Sequence, residues 1–305
     1  MLVRIALAAS ASLAMISGAL SFDGARAYHL RPEGASDLSL TTTLLGATET
    51  VNFGGGDETS DLGVGVVTPS YRHTFNLMGN AGTILIGLPL GSAFYSTSAG
   101  TIDVDTDFAQ GDMFIGGVWG LVGAPSMSVM EYVQYKPGFQ ASVAARLFAP
   151  TGDYDSSRLL NLGQNRWTLE ASLPMSYALG ESMIDPNLMT FEVRPFAVVF
   201  SDNDDPFGGA DVASKDPIFG VEGHITRNFG NSVWAALDGY YETGGETSAD
   251  GVAQGDAREN LSLGATLGLV LSPSYAVRIS YRESVYSSAQ DGSVRALEIA
   301  TAFLF

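Results

Sequence analysis

Cysteine is absent from this sequence of 305 residues. Without cysteine the chain forms no disulfide, and it carries no lipid anchor on an N-terminal cysteine. Two common ways of stabilising or tethering an exported protein are therefore excluded.

Charged residues are scarce, and they are unbalanced in sign. Asp, Glu, Lys and Arg make up 16% of the chain and hydrophobic residues 46%, whereas a typical soluble domain has about 25% charged residues. This composition predicts that something apolar covers part of the protein's outside. The formal net charge of −18 makes nucleic acid and anionic lipid headgroups poor partners.

Long hydrophobic runs are also lacking, with one exception at the N-terminus. Arg4 precedes an apolar run from Ile5 to Leu20, and Ala25 and Ala27 then form an A-x-A pattern. This order predicts a signal peptide, residues 1–27, cleaved after Ala27. The alternative is an anchoring helix, but the run is shorter than the roughly 20 residues that a bilayer requires. Residues 28–40 would then form a periplasmic N-terminal segment that could act as a plug for the C-terminal remainder of the chain.

The remainder, residues 41–305, is a series of alternating stretches of about ten residues, a length and pattern typical of transmembrane strands. The links between stretches are short and long by turns, and the long ones are acidic. One link, "GAPSMSVMEYVQYKPG", is long where the pattern predicts a short turn. We predict an all-β fold, a transmembrane antiparallel up-and-down β-barrel of about twelve strands in the bacterial outer membrane. The predicted strands are 41–53, 62–75, 82–95, 108–121, 137–148, 166–179, 189–200, 217–227, 232–242, 259–271, 274–286 and 293–305.

The two faces of these strands differ in a way that fits a barrel. From Leu261 to Leu271 the odd positions are leucine and alanine, and the even positions include Ser262, Gly264 and Thr266. The large apolar row is expected to contact lipid, and the small and polar row to line a lumen. Aromatic residues near strand ends predict a membrane-interface girdle, and they include Tyr177, Phe219, Tyr241, Tyr275 and Tyr281.

Four prolines fall inside predicted strands, where proline cannot donate a ladder hydrogen bond. They are Pro69, Pro89, Pro174 and Pro195. We expect them at bulges or strand ends.

Several motifs resemble a known family. The pieces "APTGDYD" and "NLGQNRW", together with "HLRPEG" and "GDMFIGG", are similar to the outer-membrane family named for the meta-pathway of phenol degradation. The resemblance implies a channel that takes up aromatic or other hydrophobic compounds, with outer-membrane lipid around it and a small apolar solute as its partner. Phe305, which ends an alternating strand, resembles the C-terminal signature recognised by the barrel-assembly machinery.

Charged residues inside the strands are expected to face inward, because arginine facing lipid at mid-depth costs about 2–4 kcal/mol. A symmetric hairpin places Asp238 opposite His224, and another places Glu298 diagonally between Arg278 and Arg282. Such pairs either brace the wall or constrict the pore to a path past Phe148, Phe196 and Phe200. The predicted lumen-lining residues are Arg146, Glu170, Glu192, Arg194, Glu222, His224, Asp238, Arg278, Arg282 and Glu298.

Two other classes of function stay open, a structural or adhesive barrel with a filled lumen and a lipid-modifying enzyme. Glu222, His224 and Asp238 could form an acid and base cluster, but no serine stands in a recognisable nucleophile setting. The acidic runs "DVDTD" and "DNDD" lack calcium-loop spacing, and no lysine follows the glycines as phosphate binding requires. We therefore predict no catalytic residue, no cofactor and no metal.

Overall fold

The computed structural model describes residues 23–52, 57–100, 102–288 and 292–305. One long sheet contains all but three of its strands. Its members are β1 (Ser36–Asn52), β2 (Asp57–Leu77), β3 (Asn80–Gly87), β4 (Leu90–Thr97), β5 (Asp103–Asp105), β6 (Ala109–Gln110), β7 (Phe114–Val122), β8 (Phe139–Phe148), β9 (Thr168–Ser172), β10 (Met175–Leu179), β11 (Met189–Phe200), β13 (Ile218–Asn228), β14 (Val233–Gly244), β17 (Arg258–Ser272), β18 (Tyr275–Ser287) and β19 (Ser293–Leu304).

The sheet closes on itself, because β1 pairs with β2 on one side and with β19 on the other, both antiparallel. Three wall strands are interrupted. We count β3 and β4 as one strand, β5, β6 and β7 as a second, and β9 and β10 as a third. The result is the predicted closed barrel of twelve antiparallel strands. Each predicted stretch matches one of them, although β1 begins at Ser36, five residues before the predicted start at 41.

The outer face of the barrel is apolar, as the alternation predicts. On β17, Leu263 is 54% exposed while its neighbours Ser262 and Thr266 are buried. On β19, Phe303 is 53% exposed and Ala296 is buried. Because closure pairs every edge strand, such a wall can stand in lipid without unsatisfied backbone groups.

The prolines lie where the wall is interrupted. Pro89 separates β3 from β4, and Pro174 separates β9 from β10, so these two confirm the expectation of strand ends. Pro69 and Pro195 lie inside β2 and β11, directly beside those breaks. Their carbonyl oxygens accept hydrogen bonds from the N–H groups of Leu88 and Leu173 at 3.1 and 3.0 Å.

The long link after β7 contains α1 (Val129–Gln134), which begins at a capping box of Ser128 and Glu131. Met127 in this link packs with Leu30 and Met183, and its carbonyl accepts the N–H of Glu33 at 2.7 Å. The link is long because it closes over the N-terminal residues at the periplasmic end. No helix within the described ranges is long and apolar enough to cross a membrane.

A second, three-stranded sheet belongs to the extracellular links. It consists of β12 (Ala213–Lys215), β15 (Thr247–Ala249) and β16 (Val252–Ala253).

Candidate functional site in the barrel lumen

The residues before β1 run into the lumen from the periplasmic end. We call residues 23–35 the luminal segment. Asp23 lies deepest and forms ion pairs with Arg146 of β8 and Arg194 of β11. The N–H of Gly24 donates to Glu222 of β13 at 2.8 Å. Gly24 has φ +80°, and a Cβ there would lie 2.9 Å from the Arg278 guanidinium, so this turn requires glycine.

Arg194 is the centre of the luminal charge network. Its Nη1 lies 2.7 Å from Glu170, and its Nη2 lies 2.7 Å from Glu222. Arg194 is 4% exposed and Glu222 is 1% exposed, and charges so buried require this kind of pairing. The planar guanidinium bridges carboxylates on β9 and β13, which flank β11 in the wall.

His224 lies between two carboxylates. Its Nδ1 is 2.6 Å from Asp238, its partner across the β13–β14 hairpin, and its Nε2 is 2.8 Å from Glu222. Thr266 of β17 donates to the second oxygen of Asp238 at 2.7 Å. Both ring nitrogens are thus bonded to carboxylates, an arrangement that favours an imidazolium holding three strands together.

Glu192 connects the wall to the luminal segment. It accepts the N–H of Arg26 at 2.9 Å and lies 3.3 Å from Nε2 of His29. The Arg26 guanidinium donates to Thr226 at 2.9 Å and lies 4.4 Å from the ring centre of Trp234. Burial lowers the pKa of Arg26 to about 10, with Glu192 opposing the shift, so Arg26 is charged at neutral pH.

Burial by itself would raise the pKa of Asp23. The attraction of Arg146 and then Arg194 outweighs burial and holds the pKa of this carboxyl well below its usual range. Asp23 is therefore an anion between two guanidinium groups.

The predicted residues on the last strands form a separate group. Glu298 lies opposite Ser280 and therefore diagonally between Arg278 and Arg282, as the hairpin symmetry predicts. Arg278 donates to Glu298 at 2.6 Å and to the Ala25 carbonyl at 3.2 Å. Arg282 instead lies over the Tyr240 ring, 4.8 Å from its centre.

Sequence reasoning missed part of the network. Asp23 and Arg26 stand inside the predicted signal peptide, so no strand pattern indicated them. Glu49 and Arg258 form an ion pair of 2.7 Å at the outer end of the lumen, and the alternation of β1 and β17 would have found this pair had it been followed to the strand ends.

The outer half of the lumen has apolar walls beside the Glu49–Arg258 ion pair. One wall carries a cluster of buried side chains that we call the outer apolar wall, and its members are Leu45, Ala47, Leu62, Val64, Val66, Ala93, Tyr95 and Ile102. Across the lumen Phe196 stacks on Tyr240 with ring centres 5.7 Å apart, and Phe200 packs against them. Phe148 lies with Phe114 under Arg146.

The luminal segment leaves open space beside it. A cavity that is open to solvent lies between the segment and the walls of β3, β7 and β8. Leu85, Val118 and Arg146 line it from the barrel wall, and Tyr28 lines it from the luminal segment.

Asp112 joins three of the motifs that carry the family resemblance. This buried aspartate, in "GDMFIGG", accepts the N–H of Gly152 in "APTGDYD" and the N–H of Gln164 in "NLGQNRW", both at 2.9 Å. A Cβ on Gly152 would lie 2.6 Å from the Cα of Gly163, so glycine permits this close approach of the two stems. The motifs therefore build one extracellular structure.

Comparisons with known proteins agree with this architecture. The model of the family described as "Putative MetA-pathway of phenol degradation" matches residues 41–294. The COG4313 outer membrane channel from Pseudomonas putida F1 is similar in structure, with a TM-score of 0.77, 20% identity and coverage of 93% of this chain and 100% of that chain. The transport unit of the autotransporter AIDA-I from Escherichia coli has a TM-score of 0.55 and 11% identity, with 98% of each chain covered. No curated protein sequence matches the chain.

Proposed function

Because the chain belongs to the MetA-pathway phenol-degradation family, we propose that it is an outer-membrane channel for passive uptake of small apolar or aromatic solutes. The observation that carries this proposal is the pair of apolar clusters on the walls of the outer half of the lumen, inside a closed barrel whose outer face is also apolar. Barrels that form water-filled pores have polar interiors. Luminal walls of leucine, valine and aromatic rings instead favour solutes that shed water readily.

The inner half supports selection by size. The luminal segment and the paired charges on β11 and β13 lie within the inner half of the lumen, and the cavity beside Val118 provides the remaining route. The charge pairs therefore both brace the wall and narrow the path. We propose the ten predicted lumen-lining residues as the lining of that path.

The lipid-modifying alternative finds no support in the geometry. His224 has one carboxylate on each ring nitrogen, so neither nitrogen is free to accept a proton from a hydroxyl nucleophile. A structural or adhesive barrel remains as the alternative that the uptake experiment distinguishes.

Uptake of radiolabelled toluene by cells that express the chain tests the proposal. We expect faster accumulation than in cells without it, and we expect Val118→Phe to remove the gain because Val118 faces the lumen opposite buried Ala144 and the larger ring would fill the cavity. The matched control is Ile115→Phe on the lipid-facing side of the same strand, where the side chain is exposed. Equal accumulation with and without a folded barrel would overturn the channel function and leave the structural alternative.

Phe305 is proposed as the signal for the barrel-assembly machinery. Its N–H and carbonyl pair with Ser36 at 2.9 Å each, which closes the seam, while its side chain is exposed. Phe305→Ala keeps the backbone pair and removes the aromatic ring, so we expect less folded barrel in the outer membrane. Phe303→Ala, on the same face, is the control, and equal barrel levels in the two variants would argue against a terminal signal.

A further inference from the structure

An Ω-loop closes over the outer half of the lumen. Residues 153–163 leave and return to the same point, because the N–H of Gly163 donates to the Asp153 carbonyl at 3.1 Å. Asp153 is itself fixed to Gln110 through its N–H and its carboxylate, both at 2.7 Å. Together with Asp112, these bonds make the neck of the loop a fixed point.

The tip of the loop is apolar on its inner side. Leu160 is 4% exposed and belongs to the outer apolar wall cluster, and Leu159 and Leu162 pack against it. We call residues 153–163 the leucine lid. Its leucines fill the space that a small apolar solute would occupy against Leu62, Val64 and Tyr95.

The tip is held together by its own hydrogen bonds. The N–H of Asp155 donates to the Asn161 side chain at 3.0 Å, and the Asn161 amide donates back to the carbonyls of Asp155 and Arg158 at 3.1 Å each. Ser157 donates its N–H to the Asp155 carboxylate at 2.9 Å. Tyr154, next to the neck, donates to the Asp205 carbonyl at 2.8 Å and stays with the neighbouring link. Residues 155–162 can lift as a unit, because their internal bonds move with them.

We infer that the outer apolar wall is the entry site for the solute and that the leucine lid occupies this site until an uncharged apolar molecule displaces it. This inference rests on the proposed channel function. The site discriminates by chemistry: an apolar solute replaces the leucine contacts one for one, whereas a charged or strongly hydrated solute would leave buried groups unpaired. Because the neck stays in place, the lid can pack against the outer apolar wall again after the solute has left.

The absence of cysteine makes the experiment direct, because any introduced thiol is unique. The Leu160→Cys protein, folded in outer-membrane vesicles, is treated with a water-soluble maleimide in the absence and presence of toluene. We expect slow labelling without toluene, and an increase of about threefold or more at saturating toluene, because the solute shifts the population toward the lifted lid. Arg158→Cys is the matched control on the exposed side of the same loop, and its rate should be unaffected.

Leu162→Cys provides a second position if the first variant does not fold, which is checked by whether the unheated protein runs faster on a gel than the boiled protein. Labelling at both Leu160→Cys and the partly buried Leu162→Cys that is unchanged or slower with toluene would contradict the lid. Toluene uptake in the same vesicles separates the two hypotheses: uptake without a change in labelling rejects the lid and keeps the channel. Absence of uptake rejects the channel itself.

Discussion

At the scale of single residues, the charge pairs in the lumen set the electrostatic field along the proposed path. Glu298 is the partner of Arg278, with 2.6 Å between carboxylate oxygen and guanidinium nitrogen. Both side chains lie on the inner face, where the local dielectric is lower than in water and an unpaired charge acts strongly. Changing one member of the pair therefore alters the electrostatic field along the path more than it alters the width of the path.

Glu298→Gln is expected to increase the anion preference of the channel and to raise its conductance. The substitution keeps the shape and leaves Arg278 without a charged partner, at a cost to stability of about 1–3 kcal/mol. Reversal potentials under a salt gradient measure the selectivity. Glu283→Gln, on the exposed face of the neighbouring strand, is the control; equal selectivity in the two variants would show that the pair only braces the wall.

Lys215 gives the outer mouth a pH dependence. Its amine lies 4.6 Å from the centre of the Phe200 ring, and burial, followed by the charge of Arg166, lowers its pKa to about 7, against the opposing pull of Glu242. The folded protein therefore binds fewer protons than the unfolded chain between this value and the ordinary lysine pKa of about 10.4. In that window its contribution to stability rises with pH.

The channel should accordingly become more cation-selective between pH 6 and pH 8, as Lys215 loses its charge. Reversal potentials at the two pH values measure the change. We expect Lys215→Met to remove most of the difference and Lys136→Met, an exposed lysine of the periplasmic link, to preserve it. A pH difference that survives in Lys215→Met would show that Lys215 does not cause the effect.

At the scale of elements, the neck at Asp112 holds three distant segments together. Asp112→Asn leaves one oxygen to accept a backbone N–H and turns an NH₂ group toward the other, so one hydrogen bond becomes a donor–donor contact. The expected loss is about 1–3 kcal/mol in the loop, while the barrel stays closed. Limited trypsin digestion should then cut after Arg158 sooner than in Asp107→Asn, an exposed control. Equal digestion rates would contradict the role of Asp112 in holding the base of the loop.

The elements also show how far the sequence leads. Residues two apart in a strand share one face, so Glu192 and Arg194 face either lipid or the lumen. Because a charge in lipid is costly, the sequence places both on the inner face of β11. The neck at Asp112 was beyond such reasoning, since its three motifs are joined by tertiary hydrogen bonds that no local pattern encodes. Asp23 was not predicted as a luminal residue for a different reason, because the residues around it have the pattern of an export signal and not of a strand.

At the scale of the whole molecule, the predicted cleavage after Ala27 decides what stands in the lumen. Removal of residues 1–27 removes the negative charge of Asp23 and the positive charge of Arg26, so these two losses together leave the net charge in the lumen unchanged. Cleavage also creates an α-ammonium group at Tyr28, next to His29, which contacts Glu192 of the wall. The intact mass of the protein from outer membranes tests the predicted start at Tyr28, and a start at or before Asp23 would keep the Arg146 and Arg194 ion pairs.

The luminal segment itself should limit the conductance of the whole barrel. Deleting residues 28–34 from the exported chain removes His29 from Glu192 and Leu30 from its periplasmic cluster, while β1 keeps its pairing with β19. We expect the conductance in planar bilayers to rise by about twofold or more, because the inner half then has the width of an unfilled twelve-stranded barrel. A synthetic peptide of residues 28–35, added on the periplasmic side, should lower it again, and a scrambled peptide should not. If the deleted protein still migrates as a folded barrel and conducts like the intact one, the ion pairs of the wall, and not the segment, form the narrowest part of the path.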